Sequence, residues 1–311
     1  MPPRRLILIL LCITVLFGAG TTSVRAAQKR VAVVISQRIK PYVEAFAGFR
    51  EESATRAEAE IKSYYLDKYT GSGRDRLAKI IGRDSFDLVV AIGPAATRFV
   101  WTHFPDPDTK KLYTMVLRPA NLTSGAPDTC GIALDIPPET QLKALSCFLP
   151  SSHRVGILYN PDHNSSFLKD FVSKALAFDI EIVPMAVSST KGINALLQEN
   201  WRKIDTLLFI PDPTVIYESL VKHLIKQALL RRIPSVGFNR FFHENGASLT
   251  FVLDYKQTGK KTGRQALSIL EGTDCAGPHL PEFTVHLNTK VTKYIGITTQ
   301  PRQCPEFKVA P

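Results

Sequence analysis

No two cysteines stand in a Cys-x-x-Cys pair in this chain of 311 residues, and no histidine–cysteine ladder occurs. A zinc site of the usual ligand spacing is therefore not expected. Also missing are a Gly-x-Ser-x-Gly elbow, a Walker loop and a Gly-x-Gly-x-x-Gly run. Those absences remove the usual sequence marks of a serine hydrolase, a P-loop nucleotidase and a dinucleotide-binding enzyme. The seven histidines are scattered, and only His163 falls near a strand end where a cleft would form. An enzyme needs a nucleophile with its base, or paired carboxylates. With no such set in view, no catalytic residue, cofactor or metal is expected.

Concentrated charge is lacking too. The densest basic clusters, Lys260-Lys261 with Arg264 and Arg231-Arg232, carry no interleaved aromatic residues. A single-strand nucleic-acid platform needs both, so these read as solvated helix faces and no nucleic-acid partner is expected. Beyond the N-terminus no stretch is apolar enough to span a membrane.

What is present begins with an export signal. Arg4-Arg5 precede an apolar run from Leu6 to Leu11, continued by Ile13, Val15, Leu16 and Phe17, and Val24-Arg25-Ala26 fits a small-x-small cleavage site. Cys12 lies inside the apolar run, which argues against lipidation there. Residues 1–26 are expected to be removed, leaving 285 residues, and loss of Arg4, Arg5 and Arg25 lowers the net charge of +11 by three, to +8. The product is expected to be periplasmic or otherwise extracytoplasmic, where disulfides persist. The four remaining cysteines, Cys130, Cys147, Cys275 and Cys304, allow three pairings. Cys304 sits in a proline-rich tail that would benefit from a tether, which favours Cys275–Cys304; four free thiols are the alternative.

From Arg30 onward, short β-branched runs alternate with amphipathic stretches. Strands are expected at 30–35, 61–66, 86–92 and 112–117, with helices at 42–57, 73–82 and from Pro94. The alternation restarts with a helix from Pro137-Pro138 to about Leu149. Further strands are expected at 154–159, 180–187, 206–210 and 234–237, separated by helices at 164–178, 190–201 and 214–231. Near-continuous apolar strands between helices indicate parallel sheets covered on both faces. Two such series indicate two Rossmann-like α/β lobes around a cleft. The Gly-, Pro- and Ser-containing segment Asn121–Asp128 is the expected first crossing.

Ligands of open parallel sheets bind beyond the carboxyl ends of the strands. The residues there are Ser36-Gln37 after the first strand and Gly93-Pro94-Ala95-Ala96-Thr97 after the third. Small residues at a helix start expose backbone N–H groups that suit an anion; a tight packed turn is the alternative. In the second series Tyr159-Asn160-Pro161 leads to Asn164-Ser165, and Ile210-Pro211-Asp212-Pro213-Thr214 ends another strand. Asp212 is read either as a helix cap or as a partner for a ligand ammonium. Phe238, after Gly237, is either packing or pocket wall.

Taken in order, several segments resemble the ABC-transporter substrate-binding family that includes tryptophan- and tyrosine-binding members. They are Val90–Ala96, Arg154–Pro161 with Asn164-Ser165, Ile210–Thr214, Ile233–Gly237, Asp254–Gly259 leading to Ile269–Gly272, and Leu287-Asn288. The resemblance implies a type I periplasmic-binding-protein fold with three crossings. Residues 27–121 and 247–275 would form lobe one, 122–246 and 280–300 lobe two, and 301–311 a tail. It also implies that Ser36, Gln37 and Gly93, Pro94, Ala95 and Ala96 face the cleft from lobe one, and Asn164, Ser165, Asp212, Thr214 and Phe238 from lobe two. Two positions depart from the family pattern. Asp212-Pro213 stands where the family has Asp-Asn, and Arg118-Pro119 where it has Asp-Pro. Arg118 would pair a ligand carboxylate or make an interlobe salt bridge.

The implied function is capture of a small ligand, an amino acid or similar zwitterion or carboxylate, by hinge closure of a monomer, and its delivery to a membrane permease. The ligand amine would meet Asp212 and its carboxylate the N–H groups of Ala95 and Ala96. A sensor module serving a receptor kinase, an exported α/β enzyme and a cleft that has lost its ligand are the alternatives.

Overall fold

β-branched side chains crowd a helix and fit a pleated sheet, and the buried runs of this chain are rich in them. The computed structural model describes residues 28–55, 59–123, 129–275, 277–297 and 304–310. The expected signal at 1–26, with Cys12, lies outside the described residues, as do 124–128 of the expected crossing and 298–303 and 311 near the C-terminus.

The first series runs β1 (Arg30–Ile35), α1 (Lys40–Ser53), β2 (Glu60–Tyr65), α2 (Ser72–Arg83), β3 (Leu88–Ile92), α3 (Pro94–His103), β4 (Lys111–Val116) and β5 (Gly131–Ala133). The second runs α4 (Pro138–Phe148), β6 (Arg154–Tyr159), α5 (Pro161–Ala175), β7 (Glu181–Ala186), α6 (Ile193–Asn200), β8 (Thr206–Leu208), α7 (Glu218–Leu230), β9 (Ser235–Gly237), α8 (Arg240–Glu244) and β10 (Leu249–Leu253). Then follow α9 (Tyr255–Leu270), β11 (Pro278–His279), β12 (Phe283–Leu287), α10 (Thr289–Ile295) and β13 (Val309–Ala310).

Among the described residues the strands form two sheets, ordered β11-β5-β4-β3-β1-β2 and β13-β12-β10-β9-β8-β6-β7. Neighbouring strands are parallel except β10 and β12, which are antiparallel. Each sheet is buried on both faces. On β1, Val31, Val33 and Ile35 enter one core and Ala32 and Val34 the other. On β8 and beyond, Leu208 and Ile210 face one core and Leu207 and Phe209 the other.

The crossings fall where sequence patterning is weakest. The chain leaves the first sheet after β5, beyond the expected Asn121–Asp128, because Gly131-Ile132-Ala133 is a three-residue strand too short to announce itself. It returns at Asp254, not near 247: β10 pairs with β9 and β12 in the second sheet, while α9 lies along α1. The last crossing separates β11 from β12. Val309-Ala310, expected as tail, add a strand beside β12. Residues 214–217, expected to be helical, form a turn in which the Asp212 carbonyl accepts the N–H groups of Val215 and Ile216.

The disulfides are Cys130–Cys275 and Cys147–Cys304, with Cα atoms 5.5 and 6.1 Å apart. The expected Cys275–Cys304 bond is thereby corrected. Nearness in sequence misled because the chain crosses between the two partners. Cys130 and Cys275 belong to a core of the first sheet, Cys147 and Cys304 to a core of the second, so neither bond joins the two sheets.

Helices α1 and α9 approach at backbone distance. A Cβ added to Gly259 would lie 1.9 Å from the Ala45 carbonyl oxygen, and one on Gly48 2.0 Å from that of Lys256. Along the exposed edge of this seam Lys256 and Lys260 contact Glu51 at 2.8 and 2.6 Å, and together they pull its carboxyl down to about 2. At an open helical site Gly→Ala gains about 0.5–1 kcal/mol; here the methyl has nowhere to go, and overpacking costs about 1–3 kcal/mol. Gly259→Ala is therefore expected to lower the denaturant midpoint without changing the slope, as read by equilibrium unfolding.

Candidate functional site

The strand ends of the first sheet are more tightly closed than their small residues suggest. The Ser36 hydroxyl accepts the Ala96 N–H at 2.9 Å. Gly93 has φ +90°, and a Cβ there would lie 2.7 Å from both the Ser36 Oγ and the Tyr42 ring. Gly93 N–H donates to the Thr114 carbonyl and Thr97 N–H to that of Gly93, and Pro94 has none. The anion seat expected at Ala95 and Ala96 thus has its Ala96 donor occupied. Pro94 and Ala95 instead open onto a separate depression with Arg74, Arg98 and His103. Gln37 is exposed on the loop after β1.

In the second sheet Asp212 is 0% exposed. One carboxylate oxygen accepts the Asn160 N–H at 2.7 Å and the Asn164 side-chain N–H at 2.6 Å. The other accepts the Thr214 N–H at 2.8 Å. Charge-assisted bonds of this kind are the strong ones, and they are what lets a carboxylate sit here. They also occupy it, so the ligand-ammonium role expected for Asp212 gives way to a structural one. Asn160 caps α5 through Asp162 N–H and donates to the Thr214 hydroxyl. Ser165 is exposed, its hydroxyl turned to the Pro161 carbonyl.

Arg118 spans the gap. Its backbone is left-handed, φ +48°, a conformation that costs of order 1–3 kcal/mol outside glycine. Its N–H donates to Asp135 at 2.6 Å. Its guanidinium, extending from the end of β4, donates to the His163 carbonyl, to Asn164 Oδ1 at 2.8 Å and to the Pro211 carbonyl at 3.5 Å. The guanidinium thus bridges the two sides through neutral oxygens, and the interlobe salt bridge expected of Arg118 is not among its contacts in the described residues.

Beneath this bridge lies a cavity of about 160 Å³ between the two sheets. Its walls include Phe167 of α5, Phe238, Phe251 of β10 and Tyr255, the first residue of α9. Leu117, Leu134 and Leu253 add apolar surface, and Asp135, Gln141 and Asn239 supply the polar groups. Phe238 packs on Phe242, ring centroids 4.7 Å apart. Burial pushes the hydroxyls of Tyr42 and Tyr255 upward, which keeps both phenols neutral. Of the expected site residues, Phe238 alone lines this cavity. Asp135 follows the three-residue β5, and Phe251 and Tyr255 fall beside the misplaced crossing, which is why the sequence did not single them out. Among the described residues no group of three or more His, Cys, Asp or Glu side chains is arranged to hold a metal.

Burial pushes the Asp135 carboxyl above its ordinary value, against the lowering effect of the Arg118 N–H and charge. A carboxyl raised on folding adds stability when protonated, and that stability is lost as pH rises through its folded value. Asp135→Asn in the ligand-free protein is therefore expected to raise the melting temperature at pH 7. The advantage should vanish under acid conditions where Asp135 is already protonated, as read by thermal unfolding across pH.

Known proteins place this geometry in a family. Residues 75–303 match the family described as ABC transporter substrate binding protein. A tyrosine-binding protein of Clostridioides difficile (strain R20291) is 24% identical over 204 residues, a match covering 61% of this chain and 56% of that relative. The chain thus spans little more than half the length of that curated relative. Among solved structures, a ligand-free, open substrate-binding protein with adhesive properties from Clostridium difficile has a TM-score of 0.74 at 18% identity, covering 91% of this chain and 99% of its own. A Streptococcus pneumoniae ABC domain in complex with L-Trp has a TM-score of 0.61 at 17% identity, covering 91% and 100%. With two α/β sheets facing a cleft in the type I periplasmic-binding-protein manner, and a family match over most of its length, this chain belongs to the ABC transporter substrate-binding proteins.

Proposed function

We propose that the chain is the exported, extracytoplasmic capture component of an ABC importer, a monomer that closes on a small ligand by hinge motion and presents it to a membrane permease. The observation that carries this reading is the aromatic-walled cavity between the two sheets. A cavity built from both sides links its own filling to how the sides sit, and a ligand touching both favours the closed arrangement by its differential affinity. The disulfide pattern supports the same reading, because each bond staples one side and leaves the crossings free. Among the described residues no helix is long and apolar enough to cross a membrane.

The ligand is of amino-acid size, with an aromatic or branched body against the phenylalanines and an amine near Asp135. The relatives named for tyrosine and crystallised with L-Trp support an aromatic body. The amine seat moves from Asp212, whose oxygens are occupied, to Asp135.

A thermal-shift screen of amino acids, amines, small carboxylates, purines and sugars is the test. A ligand at 100 times its Kd adds about 2.7 kcal/mol of stability. The expected result is a shift with one chemical class, lost in Phe238→Ala, together with a smaller radius of gyration by solution scattering when the ligand is present. Binding without compaction, or binding indifferent to Phe238→Ala, would contradict the reading.

A further inference from the structure

The polar atoms of the cavity are unequal in kind. Among the described residues Asp135 is the only charged one lining it, and its carboxylate takes the Arg118 N–H as a donor. Gln141 is buried and one of its side-chain N–H groups donates to the Ile136 carbonyl at 2.7 Å, leaving its oxygen as an acceptor. The Asn239 side-chain oxygen is buried with no hydrogen-bond partner. Each of the three carries an acceptor, and Asp135 is the one that carries charge. A buried acceptor without a donor is costly, and a carboxylate taken from water needs a cation or several donors.

The groups that would recognise an anion are used elsewhere. The Arg118 guanidinium is bonded to His163, Asn164 and Pro211, and the Ala96 N–H to Ser36. Arg74 and Arg98 line a different depression. A ligand carboxylate in the cavity would face Asp135 across aromatic walls, with no Lys or Arg among the lining residues to meet it.

We infer that the cavity takes a monocation without a carboxylate: a primary amine on an aromatic or branched apolar body, of the kind left when an amino acid loses its carboxyl group. The ammonium has a positive charge and N–H donors for Asp135 and the Gln141 oxygen. Phenylalanine and tyrosine faces attract a nearby cation and pack the apolar body. This inference rests on the cavity being the ligand site, and it separates this chain from relatives named for whole amino acids.

The test is calorimetric titration of the mature protein at pH 7.5 with tyramine, phenethylamine and tryptamine, each against its parent amino acid. At least one amine is expected to bind at least tenfold more tightly than its parent. Asp135→Asn, folded by circular dichroism, is expected to weaken that amine at least tenfold and to leave the parent nearly unchanged. If Asp135→Asn does not fold, a wild-type pH series serves: amine affinity should fall as acid protonates Asp135. Amino acids binding as tightly as the amines, or neither series binding, would overturn the inference. In either case a ligand whose binding is lost in Phe238→Ala leaves the capture reading standing, whereas binding of any ligand indifferent to Phe238→Ala removes both.

Discussion

A carboxylate with no exposure to water is tolerated only where donors replace its hydration, and Asp212 is such a group. Its donors come from three places: the backbone at the end of β6, the side chain of Asn164 on α5, and the Thr214 amide in the turn after β8. The strand ends that form one wall of the cleft are thereby locked to one another. Asn164, fixed by Asp212 through its N–H, presents its oxygen to Arg118. Arg118 in turn holds Asp135 through its backbone. A chain of bonds thus runs from the buried acid of one side to the half-buried acid of the other, through a single arginine.

That chain gives the two acids opposite parts. Asp212 has all its partners within the protein and serves as an anchor. Asp135 is half-buried, and burial pushes its carboxyl upward despite the Arg118 N–H and charge. The Arg118 bridge also bears on motion. Hydrogen bonds to a charged group contribute about 1.5–3 kcal/mol each when shielded, so separating the sides would forgo several kcal/mol, less what water at the partly exposed guanidinium restores. A ligand at Asp135 acts on the same residue that fastens the sides together.

The sequence made the two α/β series legible because apolar strands such as Val31–Ile35 and Leu88–Ile92 are buried on both faces and helix starts such as Pro94 are clear, although the helix expected from 164 begins at Pro161. It did not reveal what depends on residues distant in the chain. β5 is three residues long, and β10 looks alike whichever sheet it joins. The cysteine pairing follows from those crossings, so it shared their obscurity. Asp212 was visible as important, but cap and ligand contact leave the same trace in sequence; only its three donors decide between them. Arg118 stood out as a departure, and its bridging role required knowing that Asn164 and Pro211 face it. Of the cavity wall Leu117, Pro211 and Phe238 lie at recognisable strand ends, and of these only Phe238 was among the expected site residues.

The central claim is that the ligand sits between the two sheets with its polar end at Asp135. The most direct measurement is a crystal structure of the mature protein grown with the ligand that most raises its melting temperature. The account predicts density against Phe238 and Phe251, with a donor atom within hydrogen-bonding distance of Asp135. Density at the Arg74–Arg98 depression outside α3, or at Asp212 with its three donors displaced, would contradict it.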